Sequence, residues 1–318
     1  MIIYLKNSIK YAILRTIMIT VRIRGGLGNQ MFQYAAARAL SIHNNDKLRI
    51  DPSPLFDPTP WKNFTFRTYG LSTVFAIDPQ FTTVAKIQNK LRIPYFAKAF
   101  NKYYAQILAK ARYWQLFQDR YANIFEEDFF RLKGNIYMNG YFQTEKYFKD
   151  YEAEIRKDFT FRPVLEGATA ELARQIESTN AVSLFVRRQE MQRVQAFIDR
   201  FYVATPEFYD RAIALIKEKA GPDPVFYISS DEIDWCRKNF KIDAKHVFVG
   251  DEHNGPEYAN ALHLMALCKH FIIPNSSFPW WAAWLGTYKD KVVVGPEKWL
   301  RDGSEDTRDI LPESWLRV

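Results

Sequence analysis

The chain has 318 residues, 47% hydrophobic and 25% charged, which excludes disordered, collagen-like and low-complexity classes and leaves room for two lobes. Its two cysteines, Cys236 and Cys268, form no CxxC or Cys/His cluster, which argues against a disulfide framework or structural zinc and for a reducing compartment, the cytoplasm. The net charge of +8 suits a protein that meets anions, without saying whether these are nucleotide phosphates, lipid headgroups or nucleic acid.

In chain order, residues 1–17, "MIIYLKNSIKYAILRTI", are broken by Lys6, Lys10 and Arg15 and lack the apolar run of a membrane span. They read as an extension ahead of a natural start at Met18, or as an amphipathic surface segment. Next, Ile19 to Arg24 alternates like a strand, glycines turn the chain, and Met31 to Leu40 is composed of strong helix formers. Such a strand–glycine–helix unit is a generic anion site, because helix-start N–H groups lack internal partners. Lys47 to Ile50 reads as a second strand. Residues 79–118 are basic and aromatic with no acid, which suits either a solvated helical face or peripheral contact with an anionic membrane at its inner face. No nucleic-acid motif accompanies that charge.

The second half alternates strand and helix. Strands are expected at Val182–Val186, Val225–Ser229, Val247–Val249, His270–Ile273 and Val292–Val294, with helices at 206–220, 232–240, 257–269 and from about Pro279. Short, nearly continuous apolar strands between helices predict a parallel sheet covered on both faces, with ligands at the strands' carboxyl ends. The expected boundary between lobes falls near Arg162-Pro163, giving 18–163 and 164–318.

Three loops lie at those carboxyl ends. "VSLFVRRQE" ends a buried strand with two arginines; side-chain alternation puts Phe185 and Arg187 on one face and Val186 and Arg188 on the other, so one arginine would meet a ligand. "FYISSDEIDW" carries Ser229, Ser230 and Asp231 into a helix, where Ser229 and Glu232 fit a capping box and Asp231 suits a base or ribose. "FIIPNSSFPWWAAWLG" sets Asn275, Ser276 and Ser277 before a helix with Pro279 in its first turn, a phosphate cradle. Trp280 and Trp284, one turn apart, read as core. Arg187 and these helix starts compose an anion site that fits a diphosphate leaving group, and no metal pair stands out.

The set "GGLGNQMFQYAAARAL", "GYFQTEKYF", "VSLFVRRQE", "YISSDEIDW" and "NSSFPWWAAWL" resembles, in order and spacing, glycosyltransferase family 11, the α-1,2-fucosyltransferases. The resemblance implies an α/β, GT-B-like fold of two Rossmann-type lobes facing across a cleft. It implies GDP-fucose as donor, metal-independent inverting transfer to a galactoside hydroxyl, and a glycan acceptor, free or lipid-linked, in surface-polysaccharide or O-antigen synthesis. Residue by residue, it puts Arg187 at the leaving β-phosphate, Ser276, Ser277 and Phe278 in the phosphate-side loop with Asn275 beside them, and Ser229 and Asp231 by the base or ribose. Gly26, Gly28, Asn29 and Gln30 match the first-lobe loop that faces sugar and acceptor.

One motif departs from the family. Where it reads His-Val-Arg-Arg-Gly-Asp-Tyr, this chain has Phe185, Val186, Arg187, Arg188, Gln189, Glu190 and Met191. A phenyl ring keeps the packing surface but loses the imidazole's polar readout, which leaves the donor open. Glu190 is the motif's candidate general base, with a tie to Arg188 as its structural alternative. Two rivals follow: a catalytically silent sugar-binding relative, and an NAD(P)-dependent oxidoreductase read from Gly26-x-Gly28-x-x-Met31 and Asp51. Met31 spoils that second fingerprint, since a bulky thioether replaces the small residue needed for helix–strand packing.

Overall fold

The computed structural model describes residues 17–56, 67–82, 115–188, 195–201 and 203–318. Two parallel sheets organise them. The first has the order β2-β1-β4-β3, from β1 (Met18–Arg22), β2 (Lys47–Asp51), β3 (Gln115–Phe117) and β4 (Ile136–Met138). The second has the order β10-β9-β8-β5-β6-β7, from β5 (Asn180–Val186), β6 (Pro224–Ser230), β7 (His246–Phe248), β8 (His270–Ile272), β9 (Val293–Gly295) and β10 (Leu316–Arg317). The two α/β lobes face each other across a cleft in a GT-B-like arrangement, the architecture that the motif set implies.

In the first lobe, β1 leads into α1 (Leu27–Asn44). The helix begins four residues earlier than the Met31 start expected and takes Gly28 into its first turn, for a reason that lies in the other lobe. Its alanines, Ala35, Ala36, Ala37 and Ala39, are fully buried, and such small side chains let the helix lie close to Ile19 and Val21 of β1. Asn45, at φ 56, ends it in the left-handed region that asparagine tolerates. A short α2 (Leu71–Val74) and α3 (Glu152–Asp158) pack on α1; Asp158 accepts from Arg38 Nε at 2.8 Å and from the Tyr34 hydroxyl at 2.9 Å.

The second lobe follows the expected alternation: α4 (Gly167–Ser178), α5 (Gln195–Phe201), α6 (Pro206–Lys219), α7 (Ile233–Asn239), α8 (Ala259–Ala266) and α9 (Ser277–Leu285). Six of the seven β5 residues are buried, as a strand covered on both faces requires. Thr205 accepts from the Phe208 N–H to start α6, with Pro206 in the first turn, and Gly221, at φ 78, turns the chain away after it. The expected helix 257–269 is shorter, because Glu257 and Tyr258 sit at positive φ and α8 starts only at Ala259.

A single apolar cluster runs through both lobes. Phe32 of α1 lies 4.5 Å from Trp280 and 4.9 Å from Trp281 of α9, ring centre to ring centre, and Phe148 stacks on Trp281 at 5.2 Å. Both tryptophans are fully buried, and Trp284 nearly so, which makes these side chains core. Aromatic pairs of this kind contribute about 0.5–1.5 kcal/mol each beyond their burial. They fix the start of α1 against the start of α9.

Candidate functional site

The chain runs β5, β6, β7 along one direction of the second sheet, then returns to place β8 on the other side of β5. That reversal leaves a crevice at the carboxyl ends of β5 and β8, where open parallel sheets bind ligands. A cleft of about 790 Å³ opens there, and its far wall is the first lobe's glycine loop and residues from 122 to 143.

Adjacent parallel strands explain the arginines. Phe185 pairs with Ser229 and Val186 with Ser230, so the same register carried onward sets Arg187 beside Asp231 and Arg188 beside Glu232. Arg187 Nη1 donates to Asp231 Oδ2 at 2.5 Å, the Arg188 N–H to Asp231 Oδ1 at 2.8 Å, and Arg188 Nε to Glu232 Oε2 at 3.0 Å. The Arg188 guanidinium lies 3.2 Å from the centre of the Trp235 ring. Phe185, Arg187, Ser229 and Asp231 line the cleft, and Arg188 turns away to Trp235. The alternation of side chains thus separates the two arginines.

Asp231 lines the cleft and is also tied to the neighbouring strand. Both of its oxygens are engaged by the end of β5, where they orient Arg187. Burial pushes its carboxyl above the ordinary value, against the pull of the Arg187 guanidinium. The capping box fails to form: α7 has no side-chain cap, because Glu232 reaches Arg188. Ser230 does the local tying instead, donating to the Val186 carbonyl and accepting from the Glu232 N–H.

Ser276, Ser277 and Phe278 bring the start of α9 to the cleft. A helix start presents N–H groups and partial positive charge to an anion. At the other end of α9, Arg156 donates to the carbonyls of Trp284 and Leu285, and Lys291 Nζ to those of Ala283 and Gly286. Burial, with Arg156 nearby, pulls the Lys291 ammonium down to about 8. Asn275 is buried beneath the loop and donates to the carbonyls of Phe201 and Trp299, which sets its shape.

The glycine loop meets α9 directly. A Cβ on Gly28 would lie 2.5 Å from the Ser277 carbonyl carbon and 2.7 Å from the Phe278 nitrogen, and Trp281 Nε1 donates to the Gly28 carbonyl at 2.9 Å. Gly28 is therefore required for the close approach of two helix starts. Asn29 Oδ1 accepts from Ser277 Oγ and from Gln143 Nε2, both at 2.8 Å, so it joins the lobes while lining the cleft. Gly26 lines the cleft as the α1 N-cap. Gln30 points elsewhere: fully hydrogen-bonded to the Gly25 and Thr68 carbonyls and the Gly70 N–H, it braces residues 68–70.

Glu190 lies outside the described residues, as do most of residues 1–17 and 79–118. The Asp51 carboxylate, offered to a ribose by the dinucleotide reading, is buried and accepts from the Tyr137 hydroxyl at 2.6 Å and the Ser53 N–H at 3.2 Å. Among the described residues, no helix is long and apolar enough to cross a membrane, and no three His, Cys, Asp or Glu side chains gather to hold a metal.

The motifs do not single out several cleft residues. Asn123 is buried, and its Oδ1 has no hydrogen-bond partner. Tyr141 lines the same wall with the Arg24 guanidinium 4.4 Å from its ring centre. Arg200 enters from α5, and Tyr258 from the positive-φ pair at the rim, where Thr68 donates to Glu257 at 2.7 Å across the lobes. Only Tyr141 and Gln143 had a signal in the sequence, since both fall within "GYFQTEKYF".

Known proteins resemble most of the chain. It is 30% identical, over 95% of its length and 99% of the relative's, to an alpha-1,2-colitosyltransferase of Escherichia coli. It is 27% identical, over 93% and 99%, to the O-antigen biosynthesis glycosyltransferase WbnK of Escherichia coli. It is 25% identical to galactoside 2-alpha-L-fucosyltransferase Sec1 of Mus musculus, over 84% of this chain and 64% of that one. The sequence profile of glycosyl transferase family 11 matches residues 18–318, and the chain belongs to that family.

Proposed function

We propose that the protein transfers L-fucose from GDP-fucose to the 2-hydroxyl of a galactoside, with inversion, during O-antigen or other surface-polysaccharide synthesis. The observation that carries this reading is the meeting of Arg187 and the α9 start at one switch-point cleft of a family 11 chain. The acceptor is a glycan, free or lipid-linked, and the protein works in the cytoplasm at the inner membrane face. As the bond from sugar to phosphate lengthens, negative charge grows on the departing β-phosphate. The Arg187 guanidinium, held by Asp231, and the N–H groups at Ser277 and Phe278 stabilise that charge where it develops; one such donor is worth about 3 kcal/mol. The acceptor oxygen attacks the opposite face, and its proton leaves to a carboxylate, for which the arginine motif supplies Glu190. The transfer is metal-independent, because guanidinium and helix N–H groups supply the positive charge that the leaving diphosphate needs.

The acceptor's side is the first-lobe wall, where the unpartnered Asn123 Oδ1 suits a sugar hydroxyl and the Tyr141 ring a pyranose face. A second donor, one that carries a colitosyl group, is favoured by the E. coli colitosyltransferase relative and by Phe185, an apolar side chain on the cleft. The deciding experiment measures GDP release from GDP-fucose and GDP-colitose with a panel of β-galactosides, alongside thermal shifts with GDP, UDP, ADP and CDP. Fast acceptor-dependent release with a GDP-selective shift supports the proposal. A UDP preference overturns the donor assignment, and binding without turnover makes the protein a silent relative.

A further inference from the structure

Arg187 reaches the cleft already paired with Asp231, so this one guanidinium offsets only part of the charge of a diphosphate. A second guanidinium lines the same cleft. Arg200 stands on α5, and the backbone around it is tied to the phosphate-side loop: its carbonyl accepts from the Arg301 N–H at 2.8 Å. The next carbonyl, of Phe201, accepts from Asn275 Nδ2 at 2.7 Å, and Asn275 immediately precedes Ser276. Arg200 Nη2 is paired with Glu305, whose carboxylate remains partly exposed, while Arg200 Nε is buried and has no hydrogen-bond partner.

An arginine presents its five N–H donors in a planar fork that matches phosphate oxygens two at a time. Leaving a buried donor of that fork unpaired costs free energy, which an arriving phosphate oxygen would recover. The Glu305 pair is exposed enough to exchange, since ion pairs open to solvent hold weakly. We propose that Arg200 is a second phosphate-binding cation, and that a nucleoside diphosphate displaces Glu305 from it and satisfies Nε. This inference rests on the nucleotide-sugar reading of the cleft. Glu305 then acts as a placeholder that keeps the guanidinium aimed into the cleft and competes with the ligand for it.

The test is calorimetric titration of the full chain with GDP, UDP and guanosine, for wild type, Arg200→Gln and Glu305→Gln, with ligand-free Tm values as a folding control. Arg200→Gln should weaken the preferred diphosphate at least about tenfold, equivalent to about 1.4 kcal/mol, and leave guanosine unchanged. Glu305→Gln, which removes the competitor, should bind that diphosphate at least as tightly as wild type. Arg200→Lys, keeping charge without the fork, should fall between. Unchanged diphosphate affinity in Arg200→Gln would overturn the proposal, as would parallel losses for diphosphate and guanosine, or equal losses in the Arg200 and Glu305 variants. A wild type that prefers UDP defeats the GDP assignment while Arg200 is tested on UDP; one that binds no nucleoside diphosphate defeats both.

Discussion

Replacing Gly28 by alanine adds one methyl group at the tightest point between the lobes. The new Cβ would lie 2.5 Å from the Ser277 carbonyl carbon and 2.7 Å from both the Ser277 oxygen and the Phe278 nitrogen, all backbone atoms. No rotamer change relieves that, so α1 and α9 must separate by about an ångström, loosening the Trp281 bond to the Gly28 carbonyl. Overpacking of this kind costs about 1–3 kcal/mol. Alanine's better helix propensity returns at most about 1 kcal/mol. The net loss of about 1–2 kcal/mol lowers Tm by roughly 1.5–3 °C for a chain of this size, whose unfolding entropy is about 0.67 kcal/mol/K. Transfer suffers more, because a displacement of about 1 Å at the cradle is worth about 10²-fold in rate. Gly26→Ala is the control: its Cβ meets nothing nearer than Arg67 Nε at 3.8 Å, and φ is −70, which any residue adopts. Differential scanning fluorimetry and initial transfer rates on both variants decide the matter. Wild-type stability and rate in Gly28→Ala, or an equal loss of Tm from Gly26→Ala, would refute the interlobe role.

Three further outcomes are expected. Asn29→Ala leaves Gln143 and Ser277 without their shared acceptor, at about 1–3 kcal/mol, and should cut kcat/KM at least about tenfold; a full transfer rate would count against the bridge's importance. Burial holds His263 and His270 below the ordinary 6.5, so the unfolded chain takes up protons there first and stability falls as pH drops through about 6.5. His270 Nδ1 accepts from the Val292 N–H, so His270→Gln should flatten the slope of unfolding free energy between about pH 7.5 and 5.5, and an unchanged slope would exclude it as a contributor. Transfer should continue at full rate in EDTA, and a loss restored by a divalent cation would remove the metal-independent mechanism.

The second sheet was legible because its strands, covered on both faces, stand out as apolar runs between amphipathic helices. β3 and β4 were not: unlike the equally short β7, β8 and β9, they are not framed by a regular strand–helix alternation, and β10 has only two residues. The Arg187–Asp231 and Arg188–Glu232 pairs were within reach: once β5 and β6 are taken as parallel neighbours, "FVRR" and "SSDE" stand residue against residue. Reading each motif alone assigned Asp231 to a ligand and Glu232 to a cap. The part of Gly28 was beyond any local reading, because its demand for a missing side chain comes from Ser277 in the other lobe. Asn123 and Arg200 belong to no motif, and only the fold brings them to the cleft.

Arg187 gives the most direct test of the central claim. Its removal alone would strand a buried Asp231 carboxylate and cost stability, so the measurement uses Arg187→Met combined with Asp231→Asn, beside Asp231→Asn as control. Single-turnover transfer at saturating GDP-fucose should fall about 10²–10³-fold further when the guanidinium is lost, with GDP still raising Tm. Transfer by the double variant at the rate of Asp231→Asn would contradict the account.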